Sequence, residues 1–147
     1  MAKQSVLFIC VHNSARSQMA AALMNRICGQ FFEAESAGLQ PGTINPLAVA
    51  VLKEVGIDIS KNRPQSVDDV LKSGKIFDLV VTVCSEAEAE GCPFFPGATR
   101  RLHWPFEDPA RFTGSNEQRL ENTRRVRDQI REKLEIVCGE DCAAGKR

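Results

Sequence analysis

Residues 5–17 read SVLFICVHNSARS, and this stretch decides the fold class. Its first half, SVLFIC at 5–10, is a near-continuous apolar run, which is typical of a strand buried on both faces of a sheet. The polar residues that follow lead into apolar residues at helical spacing from Arg16 to Cys28. The stretch therefore predicts a buried strand, a short polar loop and a helix, which begin an α/β domain.

The rest of the chain continues this alternation. Three further strands are predicted at 31–37, 76–84 and 99–104. Three further helices are predicted at 46–55, 66–71 and 115–138; the first is expected to begin at Pro46, a residue favoured at the first helical position. The order of elements indicates an α/β sandwich around a four-stranded, mostly parallel sheet. We predict a single domain over 1–147 with a flexible tail from about residue 139.

Composition limits the classes of function. The 147 residues fit one domain, and 19 basic residues balance 19 acidic ones. Because this balance leaves no net charge, we predict that neither nucleic acid nor a membrane is a partner. No apolar run approaches the roughly 18 residues of a membrane span, and the first residues do not resemble a secretion signal. We therefore predict a cytoplasmic protein, in which cysteines are more often catalytic or metal-binding than structural.

The loop after the first strand is the strongest candidate site. Cys10 and Arg16 lie at its two ends, between a buried strand and a helix start, where backbone N–H groups can surround an anion. Such surroundings favour a thiolate at Cys10, and the planar guanidinium of Arg16 suits two oxygens of a tetrahedral oxyanion. The predicted oxyanion-binding residues are Val11, His12, Asn13, Ser14, Ala15, Arg16 and Ser17.

Two further cysteines flank the polar segment SEAEAEG at 85–91. Cys84 ends a predicted buried strand, and Cys92 precedes a proline. They could be incidental small hydrophobic residues, a disulfide, metal ligands or parts of a redox reaction. Zinc would require four ligands at closer paired spacing, so we predict no metal site.

The segment VLFICVHNSARSQMA at 6–20 resembles the phosphate-binding loop of the low-molecular-weight protein tyrosine phosphatase superfamily, and especially the arsenate reductases built on that fold. The resemblance implies a flavodoxin-like three-layer sandwich, with a parallel sheet in the order 2-1-3-4 and helices on both faces. Asp108, which directly precedes Pro109, matches the Asp-Pro motif that supplies the general acid in this superfamily. Its role would be to protonate a departing oxygen.

Two observations favour a reductase over a phosphatase. The phosphatases usually place tyrosines after the Asp-Pro motif, whereas this chain continues Ala110-Arg111-Phe112 and contains no tyrosine. Resemblance to the reductases also implies a thiol relay, in which Cys10 attacks arsenate, Cys84 attacks Cys10, and Cys92 attacks Cys84. A thioredoxin- or glutaredoxin-type reductant would reopen the final disulfide, and no cofactor is predicted. The alternatives are a phosphomonoesterase that uses Cys10, Arg16 and Asp108, and a catalytically silent anion-binding domain.

Other residues receive smaller roles. Cys28 is predicted to fill space in the first helix, and Cys138 and Cys142 receive no role. Some reductases of this family bind potassium near the loop; Asn13 and Ser36 match such a site, but 62–67 lacks the expected Thr and Asp. Because a helical 85–91 would hold Cys84 and Cys92 about 12 Å apart, we expect this segment to unwind on oxidation.

Overall fold

A computed structural model describes residues 3–84 and 98–145 of the chain. Its elements, in chain order, are β1 Gln4–Cys10, α1 Arg16–Cys28, β2 Phe32–Gly38, α2 Pro46–Lys53, α3 Val67–Lys72, β3 Phe77–Thr82, β4 Ala98–His103, a short 3-10 helix Pro109–Arg111, and α4 Asn116–Gly145. Cys92 and the predicted helical segment 85–91 lie outside the described residues.

The four strands form one parallel sheet in the order β2-β1-β3-β4. This confirms the predicted flavodoxin-like order. β1 is a central strand, and its residues from Val6 to Cys10 are all buried, as a strand covered on both faces requires. Cys10 lies opposite Gly38 of β2, and Ile9 lies opposite Thr82 of β3. The carboxyl ends of β1, β2 and β3 therefore meet at one edge of the sheet.

Helices cover both faces of the sheet. The larger core joins one face to α1, α2 and α4 through residues such as Phe8, Met19 and Leu52. The smaller core joins the opposite face, which includes Leu7 and Ile9, to α3 through Val67 and Val70. The alternation of Leu7 and Ile9 with Phe8 follows from the two-residue period of a strand. The predicted three-layer sandwich is confirmed.

Local sequence signals explain where the shorter helices begin and end. Asn45 caps α2, because its Oδ1 accepts a hydrogen bond from the Leu47 N–H at 2.8 Å, and Pro46 occupies the first helical position. Ser66 caps α3 in the same way. Gly56 follows α2 with φ +83°, a conformation that glycine adopts without a steric penalty. These three positions agree with the predicted boundaries.

The last helix is longer than predicted. We expected it to end near Cys138, but α4 continues to Gly145. Gly139 is a weak stop because a single glycine costs only about 1 kcal/mol in a helix, and the Glu and Ala residues that follow favour helix. Val126, Ile130 and Leu134 are buried at intervals of one turn, which confirms the predicted apolar face.

The prediction for Cys28 and Cys138 was wrong. Both sulfurs are buried, but they form a disulfide that joins α1 to α4 across a sequence separation of 110 residues. Cys28 was predicted to fill space in the first helix and Cys138 received no role, because nothing in the sequence brings the end of the first helix to the last one. Only the packing of α1 against α4 places their Cα atoms 5.9 Å apart, within disulfide range.

Within residues 3–84 and 98–145, no helix combines the length and the apolar character needed to cross a membrane.

Candidate active site

Cys10 lies at the end of β1 with its side chain only 2% exposed, and it carries a free thiol. Two hydrogen-bonding groups face its sulfur. The Asn13 backbone N–H donates to Sγ at 3.1 Å, and the Ser17 hydroxyl oxygen lies 2.9 Å from Sγ. Both groups can donate a hydrogen bond to the sulfur, so two donors face the atom that would act as a nucleophile.

The loop from Val11 to Ser14 turns its carbonyl oxygens away from the site. The carbonyls of Val11 and His12 accept hydrogen bonds from the N–H groups of Gln40 and Gly42, at 2.8 and 3.0 Å. The Ser14 carbonyl accepts from the Asn45 N–H at 2.8 Å. Since a trans peptide unit points its N–H opposite to its C=O, the N–H groups of the next residues face inward. The loop thus has the polarity of an anion-binding cradle.

Asn13 holds the tightest point of this loop. It is fully buried and is the one non-glycine residue with positive φ, 52°, in the described part of the chain. Asparagine tolerates this left-handed conformation better than most residues. Its side-chain Nδ2 donates to Ser17 Oγ at 2.7 Å. The strained residue therefore also supports the hydroxyl that faces the Cys10 sulfur.

Arg16 and Asp108 bring charge to the mouth of the loop. Arg16 is 2% exposed; its Nη1 donates to the Phe106 carbonyl at 3.1 Å, and its Nη2 lies 3.4 Å from Asp108 Oδ2. The other oxygen of Asp108 caps the 3-10 helix by accepting from the Ala110 N–H at 2.9 Å. Residues 92 positions apart in the sequence thus hold a guanidinium and a carboxyl group together at the loop that begins at Cys10.

Cys84 lies two residues after the end of β3, the strand that pairs with β1. It is fully buried in the same apolar core as Cys10, and the N–H of the preceding Val83 donates to the Ile9 carbonyl at 2.8 Å. Cys84 is disulfide-bonded, whereas Cys10 is free. The sheet therefore brings the loops that carry the two cysteines to one edge.

Gly38 makes close packing behind the loop possible. It ends β2 beside Cys10, and a Cβ added to it would lie 2.6 Å from the Asn13 nitrogen and 2.8 Å from the Val11 oxygen. Real Cβ atoms essentially never come under 3.0 Å. Any side chain at this position would collide with the backbone of the loop.

The surroundings of Asn13 do not suit a potassium ion. Its Oδ1, the atom that would contact a cation, accepts hydrogen bonds from the Gln65 N–H at 2.9 Å and from Gln18 Nε2 at 3.2 Å. These N–H groups present positive ends of dipoles to the position that a cation would need. Arg63 adds a positive charge to the pocket that contains Ser36. The residues present therefore do not fit the potassium site of some family members.

The structure places Cys10 and Arg16 at the ends of the predicted oxyanion-binding loop, with Asp108 next to Arg16, and it puts Cys84 just after the neighbouring strand β3. His12 is exposed, and its Nδ1 lies 3.2 Å from the Gln40 carbonyl, so it braces the outside of the loop. Sequence reasoning missed Gly38. A glycine at a strand end beside a predicted loop was the available signal, since such glycines often mark a close backbone approach.

Comparison with known proteins agrees with this geometry. A sequence model of the family described as low molecular weight phosphotyrosine protein phosphatase matches residues 5–140. The chain is 42% identical over 135 residues to the arsenate reductase of Bacillus subtilis strain 168, covering 91% of this chain and 94% of that protein.

Solved structures are also similar. An arsenate reductase from Archaeoglobus fulgidus DSM 4304 shares 35% identity with a TM-score of 0.74, covering 91% of this chain and 98% of that one. The thioredoxin-dependent arsenate reductase of Corynebacterium glutamicum shares 32% identity with a TM-score of 0.58, covering 92% of this chain and 63% of that one.

Proposed function

The chain belongs to the low molecular weight phosphotyrosine protein phosphatase family, and we infer that its activity is the reduction of arsenate to arsenite. The observation that carries this inference is the buried free thiol of Cys10 beside an anion-binding loop, with a second, disulfide-forming cysteine, Cys84, just after the adjacent strand. The loop accounts for binding of a tetrahedral oxyanion. The two thiols together account for the two electrons that reduction requires, because they release two electrons when they form a disulfide.

In the proposed first step, the Cys10 thiolate attacks the arsenic atom of arsenate. A sulfur–arsenic bond forms, an arsenic–oxygen bond breaks, and Asp108 protonates the departing oxygen so that it leaves as water. Arg16 and the inward N–H groups of residues 11–17 bind the remaining oxygens and stabilise their charge. Arg16 Nη2 lies 3.4 Å from Asp108 Oδ2, so the oxyanion that Arg16 binds lies close to the carboxyl group that protonates the departing oxygen.

In the proposed second step, the thiolate of Cys84 attacks the Cys10 sulfur. A disulfide forms and the sulfur–arsenic bond breaks with both electrons passing to arsenic, which leaves as arsenite. Cys92 then attacks Cys84, which releases Cys10 as a thiolate and passes the disulfide on. The combination of a free Cys10 with a disulfide-bonded Cys84 supports this proposal, because Cys84 forms a disulfide while Cys10 remains a thiol.

Phosphatase activity is the alternative, and the residues around the Asp108-Pro109 motif make it less favourable. Phe112, the aromatic residue nearest to that motif on its C-terminal side, packs against the large core. It is therefore poorly placed to form a wall for an aryl ring. The same loop accepts phosphate-type oxyanions in principle, so weak hydrolysis of small aryl phosphates is compatible with the main activity.

We propose that a protein thiol reductant of the thioredoxin or glutaredoxin type closes the cycle by reducing the final disulfide. The relay requires thiols that are restored to the reduced state after each turnover, which suits the reducing cytoplasm. Balanced net charge supports the further proposal that nucleic acid is not a partner. We also propose that residues 1–147 form a single domain and that the reaction requires no bound cofactor.

Arsenate-dependent NADPH oxidation tests the mechanism. The wild type is assayed with thioredoxin and thioredoxin reductase, and separately with glutathione, glutaredoxin and glutathione reductase. Cys84→Ser and Cys92→Ser should abolish multiple turnover with either system, whereas the matched control Cys142→Ser should remain active.

Two results would overturn the proposal. Full multiple turnover by Cys84→Ser and Cys92→Ser would show that the proposed thiol relay is wrong. No arsenate turnover with either reductant, together with efficient hydrolysis of aryl phosphates, would favour the phosphatase.

A further inference from the structure

A cluster of neutral amides contacts the oxyanion loop at Asn13. Gln18, one turn into α1, is only 4% exposed. Its Nε2 donates to two atoms of Asn13, the backbone oxygen at 3.1 Å and Oδ1 at 3.2 Å. Its Oε1 accepts from Nδ2 of the exposed Asn62 at 3.1 Å. Because both hydrogen bonds donated by this buried amide go to Asn13, Gln18 strongly restrains the position of Asn13.

The direction of the hydrogen bonds in this cluster follows from a backbone donor. The Gln65 N–H, which can only donate, lies 2.9 Å from Asn13 Oδ1. The amide of Asn13 must therefore present Oδ1 to Gln65 and Gln18, and Nδ2 to Ser17. Because Nδ2 donates to Ser17 Oγ, the hydroxyl hydrogen of Ser17 remains available for the Cys10 sulfur, which lies 2.9 Å away.

We propose that Gln18 is a positioning residue for the Cys10 nucleophile. It holds Asn13 at its positive φ and fixes the orientation of its amide, so that two donors, the Asn13 N–H and the Ser17 O–H, point at the Cys10 sulfur. Both hydrogen bonds are stronger to a thiolate than to a neutral thiol, which is a weak acceptor, so they favour the thiolate. Gln18 thus acts on the reacting sulfur through Asn13 and Ser17 without touching it.

Gln65, the second residue that restrains the Asn13 amide, is bonded to β2. Gln65 Nε2 donates to the Ser36 carbonyl at 2.8 Å, and the Gln65 carbonyl accepts from the Gly38 N–H at 2.9 Å. The residue that orients the Asn13 amide is therefore anchored to β2. Neutral N–H donors thus contact Asn13 Oδ1, the position at which a cation does not fit. The conformation of the loop therefore depends on hydrogen bonds from Gln18 and Gln65.

Alkylation of Cys10 tests the proposal without arsenate or a reductant, so its failure is distinguishable from failure of the proposed function. The rate of iodoacetamide reaction at Cys10 is measured across a pH series by peptide mass spectrometry. Gln18→Glu keeps the size and the acceptor for Asn62 but cannot donate to Asn13 when ionised, and Gln18→Met removes both. We expect each variant to react about tenfold more slowly at pH 7, with the rise in rate displaced to higher pH.

Asn25→Leu is the matched control. Asn25 is also an amide on α1, and it makes two hydrogen bonds to the backbone of Ala34, at 2.9 and 3.1 Å, with no contact to the loop. This variant should lose stability but keep the wild-type alkylation profile. If either Gln18 variant is folded by near-ultraviolet circular dichroism and reacts within twofold of the wild type at every pH, Gln18 is merely structural and the proposal fails. A folded Gln18→Glu is sufficient for this decision even if Gln18→Met does not fold.

Discussion

Replacing Gly38 by alanine should displace the oxyanion loop without changing any group that contacts the substrate. The added Cβ would lie 2.6 Å from the backbone nitrogen of Asn13, whereas an ordinary contact begins at 3.4 Å. The loop or the end of β2 must therefore move by about 0.8 Å, the difference between these distances. The three loop atoms that the added Cβ would approach within 3.0 Å all belong to the backbone, so no side chain can relieve the contact by rotating.

This displacement has two expected consequences. Overpacking of a well-packed site costs about 1–3 kcal/mol of unfolding free energy. A misplacement of about 1 Å at a reacting group can lower the rate about 100-fold. We therefore expect Gly38→Ala to be folded but less stable, and to lose about two orders of magnitude in kcat for arsenate.

The assay compares Gly38→Ala with Gly42→Ala. Gly42 also contacts the loop, because its N–H donates to the His12 carbonyl at 3.0 Å, but an added Cβ would meet nothing within 4 Å. Arsenate-dependent NADPH oxidation, phosphate binding by calorimetry and urea unfolding are measured for both. Wild-type kcat and phosphate affinity in Gly38→Ala would refute the argument that backbone contact sets the loop geometry. Equal losses in the two variants would do the same.

Three further predictions follow from contacts elsewhere. Asp108→Asn keeps an acceptor for the Ala110 N–H but no acidic proton, so the single-turnover rate of adduct formation should fall about 100-fold; an unchanged rate would exclude Asp108 as the acid. Removing the Cys28–Cys138 disulfide by double alanine substitution should lower unfolding free energy by about 2–4 kcal/mol and weaken the response of Tm to dithiothreitol; an identical response in both proteins would contradict this. The hydrogen bond from Arg124 lowers the pKa of Glu54 below its ordinary value of 4.5, so the stability difference between wild type and Glu54→Gln should be present at pH 7 and vanish as pH falls well below 4.5; a difference independent of pH would contradict it.

The stretch 5–17 was enough to predict the fold class and the centre of the site. A buried apolar run, a polar loop and a helical pattern lie within one short segment, so their relation depends on local backbone preferences. Cys10, Arg16 and the loop between them were identified for this reason. Asp108 needed the family resemblance as well, because an Asp-Pro pair by itself is common in turns.

The missed features all depend on contacts between distant parts of the chain. Gln18 carries no sequence signal beyond that of a polar residue near a helix start, and its partner Asn62 follows it only after two intervening elements. Gly38 looked like the end of a strand, and the loop beside it is separated by the whole of α1. Such contacts have no local periodicity that would reveal them.

The sequence by itself determined which residue types could bind and attack an oxyanion, because strand, loop and helix signals are local. Tertiary structure alone decided which other residues reach them. The parallel order of β2, β1 and β3 brings Gly38 and Cys84 to the edge that carries Cys10. Packing of α1 against α4 pairs Cys28 with Cys138. Cooperative burial of apolar faces selects this arrangement, and it acts on the chain as a whole rather than on any single segment.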